Sequence, residues 1–364
     1  MFEEPAKKKV ARVIAFYLPQ FHPIPENDLW WGKGFTEWTN VAKARPLFNG
    51  HVQPHIPADL GFYDLRLPET RVAQAQMAAA YGIEGFCYWH YWFAGHRLLE
   101  RPFNEVLSSG EPDFPFCLGW ANETWSGVWN GEPNRILIEQ TYPGEADDRA
   151  HFEYLLKAFS DHRYITVEGK PLLVIYKPLK LTDAKRRFDF WRELALQAGL
   201  KGLYIMGTNM LDFDDAEKLG LDGAMISTLG VVSSKNQLIN KIERLAWGAR
   251  KRLSLGGPRV IQYSEAIKHL VPDLAQFKFD AYPTVFPNWD HTPRMGRKGL
   301  VLANSTPELF EAHVRSAVEA LGDRDAEHRI VFLKSWNEWA EGNYMEPDAQ
   351  WGHAYLEALS KAIQ

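Results

Sequence analysis

Cysteine is almost missing from this chain. Among 364 residues there are two, Cys87 and Cys117, too few for a disulfide framework. Each sits in an apolar run, Gly85-Phe86-Cys87-Tyr88-Trp89 and Phe116-Cys117-Leu118-Gly119-Trp120, so buried free thiols are expected. An excess of basic residues is also missing. Lys and Arg number 41 against 46 Asp and Glu, a formal net charge of -5, which argues against nucleic acid or an anionic membrane as the main partner. No apolar run is long enough to span a bilayer. The one near the N-terminus, Val10–Leu18, is soon interrupted by Pro19 and His22 and is too short for a secretory leader. The expectation is a cytoplasmic enzyme, with export left open if a leader has been removed. There is no internal repeat, low-complexity tract or linker, so one domain over residues 1–364 is expected. The histidines show no His-Glu-x-x-His spacing, and neither a metal nor a cofactor is expected.

Aromatic residues, in contrast, are plentiful: 14 Trp, 14 Tyr and 21 Phe. Many alternate with polar groups, as in Phe35-Thr36-Glu37-Trp38, Tyr88-Trp89-His90-Tyr91-Trp92 and Trp120-Ala121-Asn122-Glu123-Thr124-Trp125. Core aromatics pack among aliphatics. Flat apolar faces beside hydrogen-bonding groups suit a sugar, which has an apolar CH face and a polar rim.

Short apolar runs alternate with longer amphipathic stretches. Strands are expected at Val13–Leu18, Gly85–Trp89, Phe116–Trp120, Leu172–Tyr176, Tyr204–Gly207, Ala224–Ser227, Ala281–Phe286 and Ile330–Lys334. Helices are expected at Pro68–Tyr81, Asp147–Phe159, Asp183–Ala198, Asn236–Arg252, Tyr263–Leu270, Pro307–Ala320 and Tyr355–Ile363. Eight buried strands alternating with helices imply parallel pairing. An open doubly wound sheet would carry a glycine-rich phosphate loop after its first strand. Here that strand runs into Tyr17-Leu18-Pro19-Gln20-Phe21-His22. Nearly every strand ends in polar or aromatic groups, the mark of a (β/α)8 TIM barrel with elaborated βα loops and a site at the C-terminal mouth.

The last strand leads into Lys334-Ser335-Trp336-Asn337-Glu338-Trp339-Ala340-Glu341-Gly342-Asn343. Glu338 and Glu341 would share one face of a helical turn, with Trp336 and Trp339 beside them and Gly342 permitting a sharp turn. Glycoside chemistry needs one carboxyl to protonate a leaving oxygen and another as base or nucleophile. An aromatic wall raises the pKa of the more desolvated one. These two glutamates are the expected catalytic pair. The expected sugar-binding residues are Tyr17, Gln20, Glu37, Trp38, His90, Tyr91, Trp120, Asn122, Glu123, Tyr176, Trp289, Asp290, Arg294, Trp336, Asn337 and Trp339, with an Asp290–Arg294 ion pair as the plain alternative for that couple. Asp212-Phe213-Asp214 has the Asp-x-Asp spacing that can bind a divalent metal and a nucleotide diphosphate. An acidic helix start before Ala216-Glu217-Lys218-Leu219 explains it as well.

In this order, several segments together are specific: Ala15-Phe16-Tyr17-Leu18-Pro19-Gln20-Phe21-His22, Gly34-Phe35-Thr36-Glu37-Trp38-Thr39-Asn40-Val41, Tyr81–Phe93, Trp120–Trp125, Gly169–Tyr176, Val285–Arg294 and Trp336–Asp348. Over almost its whole length the sequence resembles the glycoside hydrolase family 99-like proteins, related to endo-α-1,2-mannosidases, and within them the WbsX-like group associated with O-antigen assembly. The resemblance implies a (β/α)8 barrel, an oligosaccharide or polysaccharide substrate and retention of configuration without a covalent enzyme nucleophile. It also implies roles. Glu338 maps to the base that deprotonates the sugar 2-hydroxyl, which attacks C1 to give a 1,2-anhydro sugar. Glu341 maps to the group that protonates the leaving oxygen and then activates water. Three readings stay open: a retaining hydrolase or transglycosidase, a glycosyltransferase using a nucleotide- or lipid-linked donor, and a silent glycan-binding module.

Overall fold

The computed structural model describes residues 10–127, 132–208, 210, 213–227, 229–230 and 257–364. Eight parallel strands close on themselves: β1 Arg12–Tyr17, β2 Gly85–His90, β3 Phe116–Trp120, β4 Lys170–Ile175, β5 Tyr204–Thr208, β6 Gly223–Ile226, β7 Asp280–Val285 and β8 Ile330–Leu333. β1 pairs with β2 and with β8, and the ring is completed by β3 against β4 through Leu118↔Leu173 and Gly119↔Val174. This is a (β/α)8 barrel. The strands are buried almost throughout because helices cover their outer face and side chains fill the interior. All eight expected strands are present, with ends displaced by a residue or two.

A helix follows each strand: α1 Pro68–Ala80, α2 Arg101–Ser109, α3 Glu145–Phe159, α4 Ala184–Gln197, α5 Phe213–Leu219, α6 Tyr263–Leu270, α7 Pro307–Ala320 and α8 Ala354–Ala362. The expected helix Asn236–Arg252 lies outside the described residues, as does Asp212. α2 went unread in the sequence although Pro102 stands in its first turn, where proline is favoured. Cys87 and Cys117 are buried free thiols on neighbouring strands.

The loops at the C-terminal ends of the strands are the elaborate ones. After β1 come short helices Pro25–Trp31 and Glu37–Lys43. After β3 comes a hairpin of Trp125–Gly127 with Glu132–Ile138. After β7, Trp289–Asp290 joins a small sheet with Leu300–Ala303 and Arg259–Gln262. After β8, Asn337–Glu338 pairs with Asn343–Tyr344 across a tight turn.

Candidate active site

These loops surround a cavity of about 710 Å³ at the C-terminal mouth. Its lining follows the two-residue period of the strands. Leu18 and Gln20 come from the end of β1, Trp89 and Tyr91 from β2, Ala121 and Glu123 beyond β3, Tyr176 beyond β4, Thr208 from β5, Met225 and Ser227 from β6, Phe286 beyond β7 and Lys334 beyond β8. Trp125, Leu229, Gly230, Trp289, His291, Arg294, Glu338 and Glu341 complete it.

The same alternation sends other candidates outward. Tyr17 is buried against Phe86 and Tyr88, and its hydroxyl donates to Gln74 Oε1 at 2.6 Å. His90 is bonded through Nε2 to His151 Nε2 at 2.8 Å, and burial pushes its pKa down to about 3. Trp120 packs on His151 and Trp191. These three support the barrel from behind and do not line the cavity.

The segment that carries Glu338 and Glu341 is built in steps. Asn337 ties β8 to β1: its Oδ1 accepts from Leu18 N at 2.7 Å, and its Nδ2 donates to Leu18 O at 3.1 Å. Ser335 Oγ accepts from Asn337 N and Glu338 N at 3.1 and 2.9 Å. Trp339–Glu341 then makes one 3₁₀ turn. Gly342 ends it in the left-handed region at φ 52°, where a Cβ would stand 2.7 Å from Asp290 N. Trp336 and Trp339 were expected to frame the carboxylates. Instead both are core residues beneath them. Trp336 packs on Phe86, and Trp339 stacks on Tyr344 at 3.8 Å while its Nε1 donates to Glu346 Oε2 at 2.6 Å. The aromatic walls of the cavity are Trp89, Tyr91, Trp125, Tyr176, Phe286 and Trp289.

Three further candidates hold the site without lining it. Glu37, fully buried, accepts from Ala340 N at 3.1 Å and from Arg294 Nη2 at 2.6 Å. Trp38 donates to Tyr63 O at 2.8 Å and packs on Trp339. Asn122 pins Lys177, accepting from its N–H at 2.7 Å and donating to its carbonyl at 2.9 Å. Asp290 does not pair with Arg294 as the alternative reading had it. It meets His51 Nε2 at 2.7 Å and accepts from Gln53 and from Thr292 N. Arg294 is committed elsewhere, to Glu37 and, at 2.5 Å, to Glu341 Oε1. Glu123 lines the cavity in an ion pair with Lys177.

The two glutamates sit in unequal fields. Burial pushes Glu338 up to about 7. The neighbouring Glu341 and Glu37 charges add to that rise, while Lys334, 3.8 Å from its Oε2, and Arg294 oppose it. Burial acts on Glu341 in the same sense. It is outweighed by Arg294, by His291 at 3.6 Å and by Lys334, which carry Glu341 down to about 2. Glu338 is thus the member of the pair that its surroundings favour in the protonated form, and Glu341 the member favoured as the carboxylate. His291 and Lys334 were not among the expected site residues. His291 sits between the candidates Asp290 and Arg294, and Lys334 is the first polar group after the apolar run of β8.

Among the described residues no group of three or more His, Cys, Asp or Glu could hold a metal ion. Asp212 lies outside them. Among the described residues, too, no helix is long and apolar enough to cross a membrane.

By architecture this is a (β/α)8 barrel whose mouth carries a cavity and a pair of carboxyls. It is similar to a glycoside hydrolase-like protein of known structure, with a TM-score of 0.61, 16% identity and coverage of 100% of this chain and 98% of that one. It is also similar to the GH99 endo-alpha-mannosidase of Bacteroides thetaiotaomicron solved with bis-tris propane, at 0.60 and 16%, covering 97% and 96%. The family described as glycosyltransferase WbsX matches residues 13–359, and the chain belongs to that family. Its relatives include the protein WxcX in two strains of Xanthomonas campestris pv. campestris, each 37% identical over 362 residues. The match takes in 97% of this chain and 50% of WxcX, so the chain spans about half the length of these relatives.

Proposed function

We propose that the chain is a carbohydrate-active enzyme that cleaves or remakes a glycosidic bond with retention, using Glu338 and Glu341 as its acid and base. The observation that carries this reading is two neighbouring carboxyls at the mouth of the barrel in unequal surroundings: Glu341 meets Arg294 at 2.5 Å, while Glu338 is buried with its nearest cation 3.8 Å away.

The surroundings, with burial raising Glu338 and Arg294 lowering Glu341, support a division of labour opposite to the one the resemblance implies. Glu338, carrying a proton, donates it to the leaving glycosidic oxygen. Glu341, ionised, accepts the proton of the sugar 2-hydroxyl as that oxygen attacks C1 and closes a 1,2-anhydro ring. In the second half the Glu338 carboxylate takes a proton from the incoming hydroxyl, which opens the ring at C1. Glu341 returns its proton to the 2-oxygen. The incoming hydroxyl belongs to water in a hydrolase and to a sugar in a transferase. The description of the family as glycosyltransferases favours transfer, and nothing in this chemistry needs a different protein.

The test is a pair of substitutions on a glycan that the wild type turns over. Glu338→Gln should slow a substrate with a basic leaving group by on the order of 10²- to 10⁴-fold, yet nearly spare one whose leaving group needs no proton. Glu341→Gln should impair both. The mirror-image result restores the roles the resemblance implies, and near-normal turnover by both variants would sink the assignment. Sugar binding without any reaction under donor and acceptor screens would identify a silent glycan-binding module.

A further inference from the structure

Lys334 is the cavity cation held most loosely by a carboxylate: its ion pair with Glu338 is 3.8 Å long and makes no hydrogen bond. Arg294 is spent on Glu37 and Glu341, and Lys177 on Glu123. The Lys334 ammonium carries three donors. Its nearest carboxylate oxygen, Glu338 Oε2, is 3.8 Å away, beyond hydrogen-bond reach, and that oxygen has no hydrogen-bond partner of its own. The Trp89 ring covers one side of the ammonium, with its centroid at 5.8 Å. The side chain is only 17% exposed, and what exposure it has is toward the cavity it lines. A lysine put there merely to neutralise Glu338 would close to contact. This one stands off, leaving ammonium donors that face the cavity for a ligand to satisfy.

We propose that the sugar bound beside Glu338 carries an anionic substituent, a carboxylate or a phosphate, that pairs with the ammonium of Lys334. The substrate class is then an acidic glycan, with a hexuronate or a phosphorylated sugar next to the bond that reacts. The aromatic walls Trp89, Tyr91, Trp125, Tyr176, Phe286 and Trp289 take the apolar ring faces, and Lys334 reads the charge. This rests on the glycan-processing reading of the same cavity.

The probes are glucose, galactose and mannose, each as the neutral sugar, the 6-carboxylate and the 6-phosphate, titrated against the wild-type chain by calorimetry. In at least one series an anion should bind about tenfold or more tighter than its neutral parent, the worth of one charge-assisted bond. A preference for the carboxylate assigns a uronate, and a preference for the phosphate assigns a phosphorylated sugar. Lys334→Met should bring that ratio close to one and Lys334→Arg should keep it, with thermal unfolding checking that both variants fold. Equal binding of neutral and anionic sugars in every series overturns the proposal, as does a preference that survives in Lys334→Met. Failure here is distinct from failure of the enzymatic reading. An anion preference without glutamate-dependent turnover leaves the ligand class standing and removes the acid–base pair. Glutamate-dependent turnover with no anion preference does the reverse.

Discussion

Removing the Lys334 charge should move the titration of Glu338 in a known direction. The ammonium lies 3.8 Å from Glu338 Oε2 and, after burial, is the largest influence on that carboxyl, favouring its ionised form. Two unit charges at this separation interact by roughly 4 kcal/mol at an effective dielectric of 20, an upper limit of about three pH units. Lys334 is 17% exposed, and solvent weakens the coupling, so Lys334→Met should raise the Glu338 midpoint from about 7 by about one to two pH units. The other charges that face Glu338, those of Glu341, Arg294 and Glu37, remain in place and oppose one another. The assay is carboxyl ¹³C titration of glutamate-labelled protein, with the Glu338 signal identified by its disappearance in Glu338→Gln. This reads the carboxyl directly and needs no substrate. A midpoint that stays put or falls in Lys334→Met refutes the electrostatic account. Under the proposed mechanism the alkaline limb of the activity profile follows the same midpoint, because activity is lost as Glu338 gives up its proton.

Arg294→Met leaves Glu37, 0% exposed, without its counter-charge; the expected loss is about 3–5 kcal/mol in urea unfolding at neutral pH, and a loss below about 1 kcal/mol refutes it. Glu346 is held up at about 7 by burial although Trp339, Gln74 and Tyr63 all donate to it. With the folded pKa above the unfolded one, its contribution to stability is full below about pH 4 and is lost as pH rises through 7, by roughly 3 kcal/mol. Glu346→Gln should therefore melt with a shallower decline between pH 5 and 8, and a variant that tracks the wild-type slope counts against the assignment. Gly342→Ala forces a Cβ to within 2.7 Å of Asp290 N from a left-handed backbone. It should displace the turn carrying Glu341 and cut turnover sharply while far-ultraviolet dichroism stays native; normal turnover would show that the turn is not held there.

The barrel was legible because its strands are buried on both faces and therefore read as unbroken apolar runs, such as Ile330–Leu333, between helices with clear apolar stripes. That same double burial hid which residues face inward. In Tyr88-Trp89-His90-Tyr91 nothing in the sequence marks the inner parity, and the structure sends Trp89 and Tyr91 to the cavity while His90 meets His151 behind the sheet. Trp120 and Glu123 divide in the same way beyond β3. Short strands with distant partners were illegible for another reason. Arg259–Gln262 pairs with Leu300–Ala303 some forty residues on, and neither run is long enough to declare itself.

The glutamate pair shows where sequence reasoning about a site stops. Glu-x-x-Glu beside two tryptophans suggested that aromatic flanks would make the carboxyls unequal. The inequality is there, but the flanking tryptophans are buried beneath the turn and do not distinguish the two groups. What separates them is the delivery of Arg294 and His291 from the loop after β7, which reach Glu341 at 2.5 and 3.6 Å and leave Glu338 with a lysine 3.8 Å away. Arg294 can be delivered only because Glu37, from the loop after β1, holds its other nitrogen. Three loops from three strand ends thus set the field around each of two adjacent glutamates. Spacing within one of those loops carries no record of that field, so a role assigned by position in a motif and the role proposed from the field around the carboxyl can differ, as they do for Glu338.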